Sequence, residues 1–198
     1  MNAPLHAHAA APEFEVSAWL NARQAPTLAS LRGKVVAVYA FQMLCPGCVA
    51  HGIPQAKAIA ALFDPGEVAV LGLHTVFEHH AAMNRNALEA FVHEYRIAFP
   101  VGVDREDDDG PVPRTMARYG LRGTPTLLLF DRHGVLRHSL FGQAGDMQVG
   151  ASIGRLLAEP FAGRALAGAD AASGADADSG SGVGADAGCD GDACAVRR

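Results

Sequence analysis

The hydrophobic positions of this chain fall into runs whose period changes along its length. Val35-Val36-Ala37-Val38-Tyr39-Ala40-Phe41 is apolar at every position, the pattern of a strand covered on both faces. Past Cys48, apolar side chains recur at Val49, Ile53, Ala56, Ile59, Ala60 and Phe63. That spacing predicts a helix ending near Asp64-Pro65-Gly66, with a kink at Pro54. Val68 to His74 repeats the buried-strand pattern, and Leu88, Phe91, Val92 and Tyr95 share one face of a helix predicted over 87–96. Phe99 to Val103 reads as a short strand and Pro113 to Tyr119 as a short helix, whereas Glu13 to Asn21 reads as a turn laying Phe14, Val16 and Trp19 on the core.

Thr126 to Phe130 and Val135 to Leu140 form a predicted hairpin, because Asp131-Arg132-His133-Gly134 supplies turn residues between them. A last helix is predicted from Asp146 to Leu157. Strands joined through helices, followed by an antiparallel hairpin, predict an α/β fold: a mixed central sheet with helices on both faces.

Composition alters this picture mainly at the ends. With 198 residues, 49% of them hydrophobic, the chain can build one well-buried domain, placed at 14–161. Residues 1–13 are mostly Ala, Pro and His and read as a mobile arm. Residues 162–198 are dominated by Ala, Gly, Asp and Ser, a composition that buries too little to offset backbone ordering, and read as a disordered tail. The net charge of -5 argues against nucleic acid as a main partner, and much of the acidity sits at 161–198, with six Asp against three Arg. The first thirty residues lack the basic start and apolar core of a signal peptide, and no run has membrane-spanning length. A cytoplasmic monomer without a cofactor or membrane partner is expected, in a compartment where paired cysteines serve catalysis or metal binding.

The four cysteines form two close pairs. Cys45-Pro46-Gly47-Cys48 lies between the first confident strand and the following helix. This spacing suits disulfide exchange, and it also suits zinc if two further ligands converge. The tail pair, Cys189 and Cys194, lies on a linker whose r.m.s. reach is roughly 25–30 Å, so it is read as an electron relay to the first pair, a metal-holding element or an inert terminus. His51 stands about one helical turn past Cys48, and His74 ends the second buried strand; both are accessory candidates for supporting a thiolate or moving a proton. His74, Glu78, His79 and His80 allow a metal reading, although adjacent histidines point apart. Arg105 to Asp109 lacks the alternating ligand order of a calcium loop. No metal ligand is assigned.

Four features together resemble a thioredoxin-fold protein of the TlpA-like or redoxin branch over residues 14–158. They are Trp19-Leu20-Asn21 with Leu31-Arg32-Gly33-Lys34, the strand leading into Cys45-Pro46-Gly47-Cys48, the segment Gly123-Thr124-Pro125-Thr126, and the turn Asp131 to Gly134. The resemblance implies a thioredoxin-like fold and a thiol-disulfide oxidoreductase acting on protein or small-molecule disulfides with a thiol reductant as partner. It implies that Cys45 is the exposed nucleophile, Cys48 the buried resolving thiol, and Pro125 a cis proline facing the dithiol. Thr124 would then offer its backbone to a substrate strand. A helix N-terminus favours a thiolate at Cys45, and Pro46 suits the first helical position.

The chain also departs from that pattern. Tyr39 stands where classical thioredoxins keep a buried carboxylate, Leu44 where they keep a Trp, and Pro54 falls one residue past the usual helix proline. Peroxiredoxins would carry a Thr at the position of Gln42. Two alternatives stay open at this point: a thiol peroxidase that oxidises Cys45 to a sulfenic acid, and a metal-binding or metallochaperone protein using all four cysteines.

Overall fold

A computed structural model describes residues 10–161; the tail with Cys189 and Cys194, and the first nine residues, lie outside the described residues. Six strands form one mixed sheet: β1 (Val16–Leu20), β2 (Val35–Phe41), β3 (Val68–His74), β4 (Val101–Asp104), β5 (Thr126–Phe130) and β6 (Leu136–Phe141), in the order β1-β4-β3-β2-β5-β6. β2 sits centrally, parallel to β3 and antiparallel to β5. β4 extends the parallel set, and β1 and β6 close the edges as antiparallel partners.

The uniform apolarity of β2 follows from this central place, since its side chains alternate into two separate cores. Val35, Ala37, Tyr39 and Phe41 face α1 (Ile53–Leu62), α2 (Arg85–Glu94) and α4 (Asp146–Ala158), while Val36, Val38 and Ala40 face α3 (Arg114–Arg118) and the N-terminal segment. Helices therefore cover both faces, three on one side and a short one on the other. Asp104, at the end of β4, accepts hydrogen bonds from the backbone N–H groups of Thr115 and Met116 at 2.9 and 3.0 Å, so a buried carboxylate receives the first turn of α3.

Two expectations need correction. The segment read as a turn over 13–21 is a strand from Val16 to Leu20: it pairs with β4, more than eighty residues away, so no local hairpin signal marks it. Phe14, Val16 and Trp19 do pack on the core as expected. Residues 10–13, placed with the mobile arm, are laid on the domain, because Ala11 donates to the Gly134 carbonyl at 2.9 Å and Glu13 accepts from Leu28 and Ala29.

Candidate functional site

The carboxyl ends of parallel β2 and β3 mark the edge of the sheet where this site is built. β2 ends at Phe41, and the Cys45 N–H closes a turn onto the Gln42 carbonyl at 3.2 Å. The Cys45 carbonyl then accepts from both Cys48 and Val49, at 3.0 and 3.1 Å, which makes Cys45 the residue just before the helix and Pro46 its first member. Pro46 has no N–H to lose there. Further along, the expected kink takes the form of a π-helical turn, Cys48–Gly52, in which the Ile53 N–H reaches the Cys48 carbonyl. Pro54 cannot donate to the carbonyl four residues back, and the wider turn absorbs that missing bond before α1 continues.

The two thiols occupy different surroundings. Cys45 is half-buried and Cys48 fully buried, and both are free thiols. The Cys45 Sγ donates to the Thr124 carbonyl at 3.5 Å and accepts the Cys48 N–H at 3.3 Å. Burial, with the neighbouring Cys45 sulfur, pushes the Cys48 thiol up to about 12. A proton therefore leaves Cys48 only when a partner accepts it.

Thr124 and Pro125 join in a cis peptide bond opposite the dithiol. Thr126 ties this segment down by donating to the Gly123 carbonyl at 2.7 Å, and the Pro125 carbonyl accepts the Gly142 N–H at 2.8 Å. The dithiol helix approaches closely because it presents glycines: a Cβ on Gly47 would lie 3.2 Å from Pro125 Cδ, and one on Gly52 would lie 3.2 Å from Pro125 Cβ.

Tyr39, where a carboxylate would stand in classical thioredoxins, heads a chain of hydrogen bonds. Its hydroxyl donates to Gln55 Oε1, and Gln55 Nε2 donates to the Ala144 carbonyl at 2.9 Å and to Asp146 Oδ1 at 2.5 Å. Burial and the Asp146 carboxylate raise the phenol well above its usual range, which keeps it a donor. His51 is exposed and lines a cavity of about 310 Å³ with Tyr39, Gln55 and Asp146; the Cys45 sulfur finds its partners elsewhere. Gln55 and Asp146 carry no signal in the sequence, since 91 residues separate them.

His74 shares the sheet edge with the dithiol, being opposite Phe41 in the parallel register. Its ring packs on Phe41 at 5.3 Å and lines a different cavity, to which neither Cys45 nor Cys48 contributes. Among the described residues no group of three or more His, Cys, Asp or Glu is placed to hold a metal ion. The His74, Glu78, His79 and His80 set is thus not brought together.

The comparisons agree with this geometry. The AhpC/TSA family model matches residues 7–139. The structure is similar to that of a thioredoxin-like superfamily protein, 57% identical, with a TM-score of 0.75 over 76% of this chain and 97% of that one. It is equally similar to a thiol-disulfide isomerase from Corynebacterium glutamicum, 46% identical, with a TM-score of 0.75 over 77% and 99% of the two chains. A putative thiol:disulfide interchange protein DsbE from Chlorobium tepidum, 20% identical over 75% and 95%, shares the fold with a TM-score of 0.59. A search of curated proteins finds no match. The family match over most of the domain and the two close structural relatives place the chain in the AhpC/TSA redoxin family, as a thioredoxin-like thiol-disulfide oxidoreductase.

Proposed function

We propose that Cys45 is the attacking thiol of this enzyme, Cys48 its resolving thiol, and the Thr124-Pro125 segment the backbone against which a protein disulfide docks. The observation that carries the reading is the asymmetry of the pair. One sulfur is reachable and accepts a backbone N–H, and the other is buried with its thiol held protonated.

In the first step the Cys45 thiolate attacks one sulfur of the substrate disulfide, forming a mixed disulfide and releasing the other sulfur as a thiolate. In the second, Cys48 gives up its proton and attacks the Cys45 sulfur. The second substrate thiolate leaves, the substrate has gained two electrons, and Cys45 and Cys48 are joined. The reverse sequence oxidises a substrate dithiol. A Cys48→Ser variant is expected to accumulate Cys45-linked mixed disulfides, readable by mass spectrometry. Unmodified Cys45 in that variant, with other thiols linked instead, would overturn the assignment.

The tail pair extends the reading. We infer that Cys189 and Cys194 exchange electrons with the Cys45-Cys48 pair, since a linker of this composition gives millimolar effective concentration over a reach of roughly 25–30 Å. Removing the chain after Phe161 is expected to lower turnover with a protein disulfide while sparing single-turnover attack by Cys45; unchanged turnover rejects the relay. A peroxidase reading has less support, because the Gln42 side chain is buried and accepts the Phe77 N–H at 3.4 Å.

A further inference from the structure

The end of edge strand β6 places an aromatic ring beside the dithiol that the exchange steps do not use. Its last residue, Phe141, pairs with Thr126 and is 50% exposed. The ring lies against the chain just before Thr124, since a Cβ on Gly123 would stand 3.0 Å from Phe141 Cε2. The next residue, Gly142, donates its N–H to the Pro125 carbonyl at 2.8 Å, which fixes this end of β6 to the docking segment. The Thr124 carbonyl lies 3.5 Å from Cys45 Sγ. Two adjacent residues, Thr124 and Gly123, therefore face the reacting sulfur and the Phe141 ring.

Arg122 completes this group. Its guanidinium carbon stands over the Phe141 ring, 5.1 Å from the centroid. The electron-rich face of an aromatic ring attracts a cation at that distance and orients it. Arg114, Arg118 and Arg137 are each paired with carboxylates. Arg122 is exposed, and its guanidinium has no carboxylate or carbonyl acceptor among the described residues. Stacking on the ring leaves the N–H fork free, and that fork takes a carboxylate through two parallel hydrogen bonds. Because the guanidinium covers the ring, a chain docking here meets a held positive charge and not a bare apolar face.

We propose that Arg122, oriented by Phe141, selects protein disulfides that carry an acidic side chain close to the reacting cysteine. This specificity rests on the assignment of Cys45 as the attacking thiol and of Thr124-Pro125 as the docking backbone. A substrate strand paired with Thr124 lays the neighbours of its own cysteine alongside Gly123 and Arg122. An aspartate or glutamate there accepts the free guanidinium N–H groups, whereas a lysine meets a like charge. Arg122 acts away from the sulfurs, so it decides which chain docks and leaves the bond changes to the cysteines.

The test uses the full-length Cys48→Ser protein, in which Cys45 stays linked to what it attacks, and short synthetic peptides with one cysteine activated as a 2-pyridyl disulfide. The peptides differ only in a glutamate, glutamine or lysine placed two residues from that cysteine, before or after it. The initial rate of Cys45-linked product, counted by mass spectrometry after acid quenching, is divided by the rate at which 2-mercaptoethanol consumes the same peptide. That division removes each peptide's intrinsic reactivity. At low ionic strength, with the acidic residue on at least one side, the glutamate peptide is expected to react about fivefold faster than the glutamine peptide and about tenfold faster than the lysine peptide. Near 1 M salt, where charges are screened beyond about 3 Å, the advantage is expected to fall by at least half. Adding Arg122→Gln is expected to bring the glutamate-to-glutamine ratio to about one, and adding Phe141→Leu, which releases the guanidinium, to lower it at least twofold. A ratio of one in the Cys48→Ser protein, or a ratio that Arg122→Gln leaves unchanged, would overturn the proposal while the Cys45 assignment stands. Peptide linked to other thiols with Cys45 unmodified would overturn that assignment and this specificity with it.

Discussion

Gly47 lies directly against Pro125: a Cβ at position 47 would come within 3.2 Å of the proline Cδ. Of the two residues between the thiols, Gly47 is therefore the one on which the cis-proline segment rests. Replacing Gly47 with Val adds branching that fits only if Pro125 moves away. Such a shift is expected to slow mixed-disulfide formation with a peptide disulfide on the order of tenfold or more, since small misplacements near reacting atoms carry large rate costs. Alkylation of Cys45 by a small reagent should stay within about twofold of wild type. Equal exchange rates in the two proteins would show that the contact does not position the substrate.

The difference between the thiols should be visible in labelling. With its pKa pushed up to about 12, chiefly by burial, Cys48 stays a protonated thiol at pH 8. Iodoacetamide at that pH is expected to modify Cys45 in the folded domain and to reach Cys48 only in denaturant. Comparable labelling of both residues in the native protein contradicts the burial seen for Cys48.

The Tyr39-Gln55 hydrogen bond should appear as a coupling energy. Tyr39→Phe removes the donor, Gln55→Leu removes the acceptor, and the double variant removes both. Because each single change leaves one partner unmatched, the cycle is expected to yield a coupling of about 1 kcal/mol in urea unfolding. A coupling indistinguishable from zero would mean that the two groups are satisfied independently.

Asp104→Ala should cost about 2 kcal/mol, because it leaves the N–H groups of Thr115 and Met116 without their acceptor at a buried helix start. Denaturant midpoints measure this directly. A change under a few tenths of a kcal/mol would show that solvent replaces the carboxylate.

His74 makes stability depend on pH with a definite sign. Its pKa falls from 6.5 in the unfolded chain to about 4 in the folded protein, so the unfolded state binds the proton first on acidification. The stability conferred by a neutral ring is complete above pH 6.5 and is lost as the pH falls toward 4, by about 3 kcal/mol in all. A His74→Phe variant should lose that part of the acid dependence, which unfolding titrations between pH 7 and 4 would show.

Sequence pattern reveals an element when the element explains itself locally. Val35 to Phe41 and Val68 to His74 are continuous apolar runs because each is covered on both faces, and their bounds were readable as strands. Val16–Leu20 was not, since its pairing with β4 is decided by residues far along the chain and its edge position breaks the alternation. The same distinction holds at the site. Cys45, Cys48, Thr124 and Pro125 sit in short motifs, whereas the Tyr39-Gln55-Asp146 chain depends on three elements meeting in space. His51 and His74 were legible as chemistry-bearing residues, but their spacing could not say that they line separate cavities.

Trp19 packs over Gly102, where a Cβ would lie only 3.1 Å from the indole and 2.9 Å from Val16 Cγ1. It is the one tryptophan of the chain, and Leu44, not an aromatic residue, stands beside Cys45. Intrinsic fluorescence of this enzyme is thus an optical gauge of the β1-β4 edge. A change in emission would report that edge loosening, and closure of the Cys45-Cys48 disulfide would pass without the quenching that a tryptophan beside the dithiol would give.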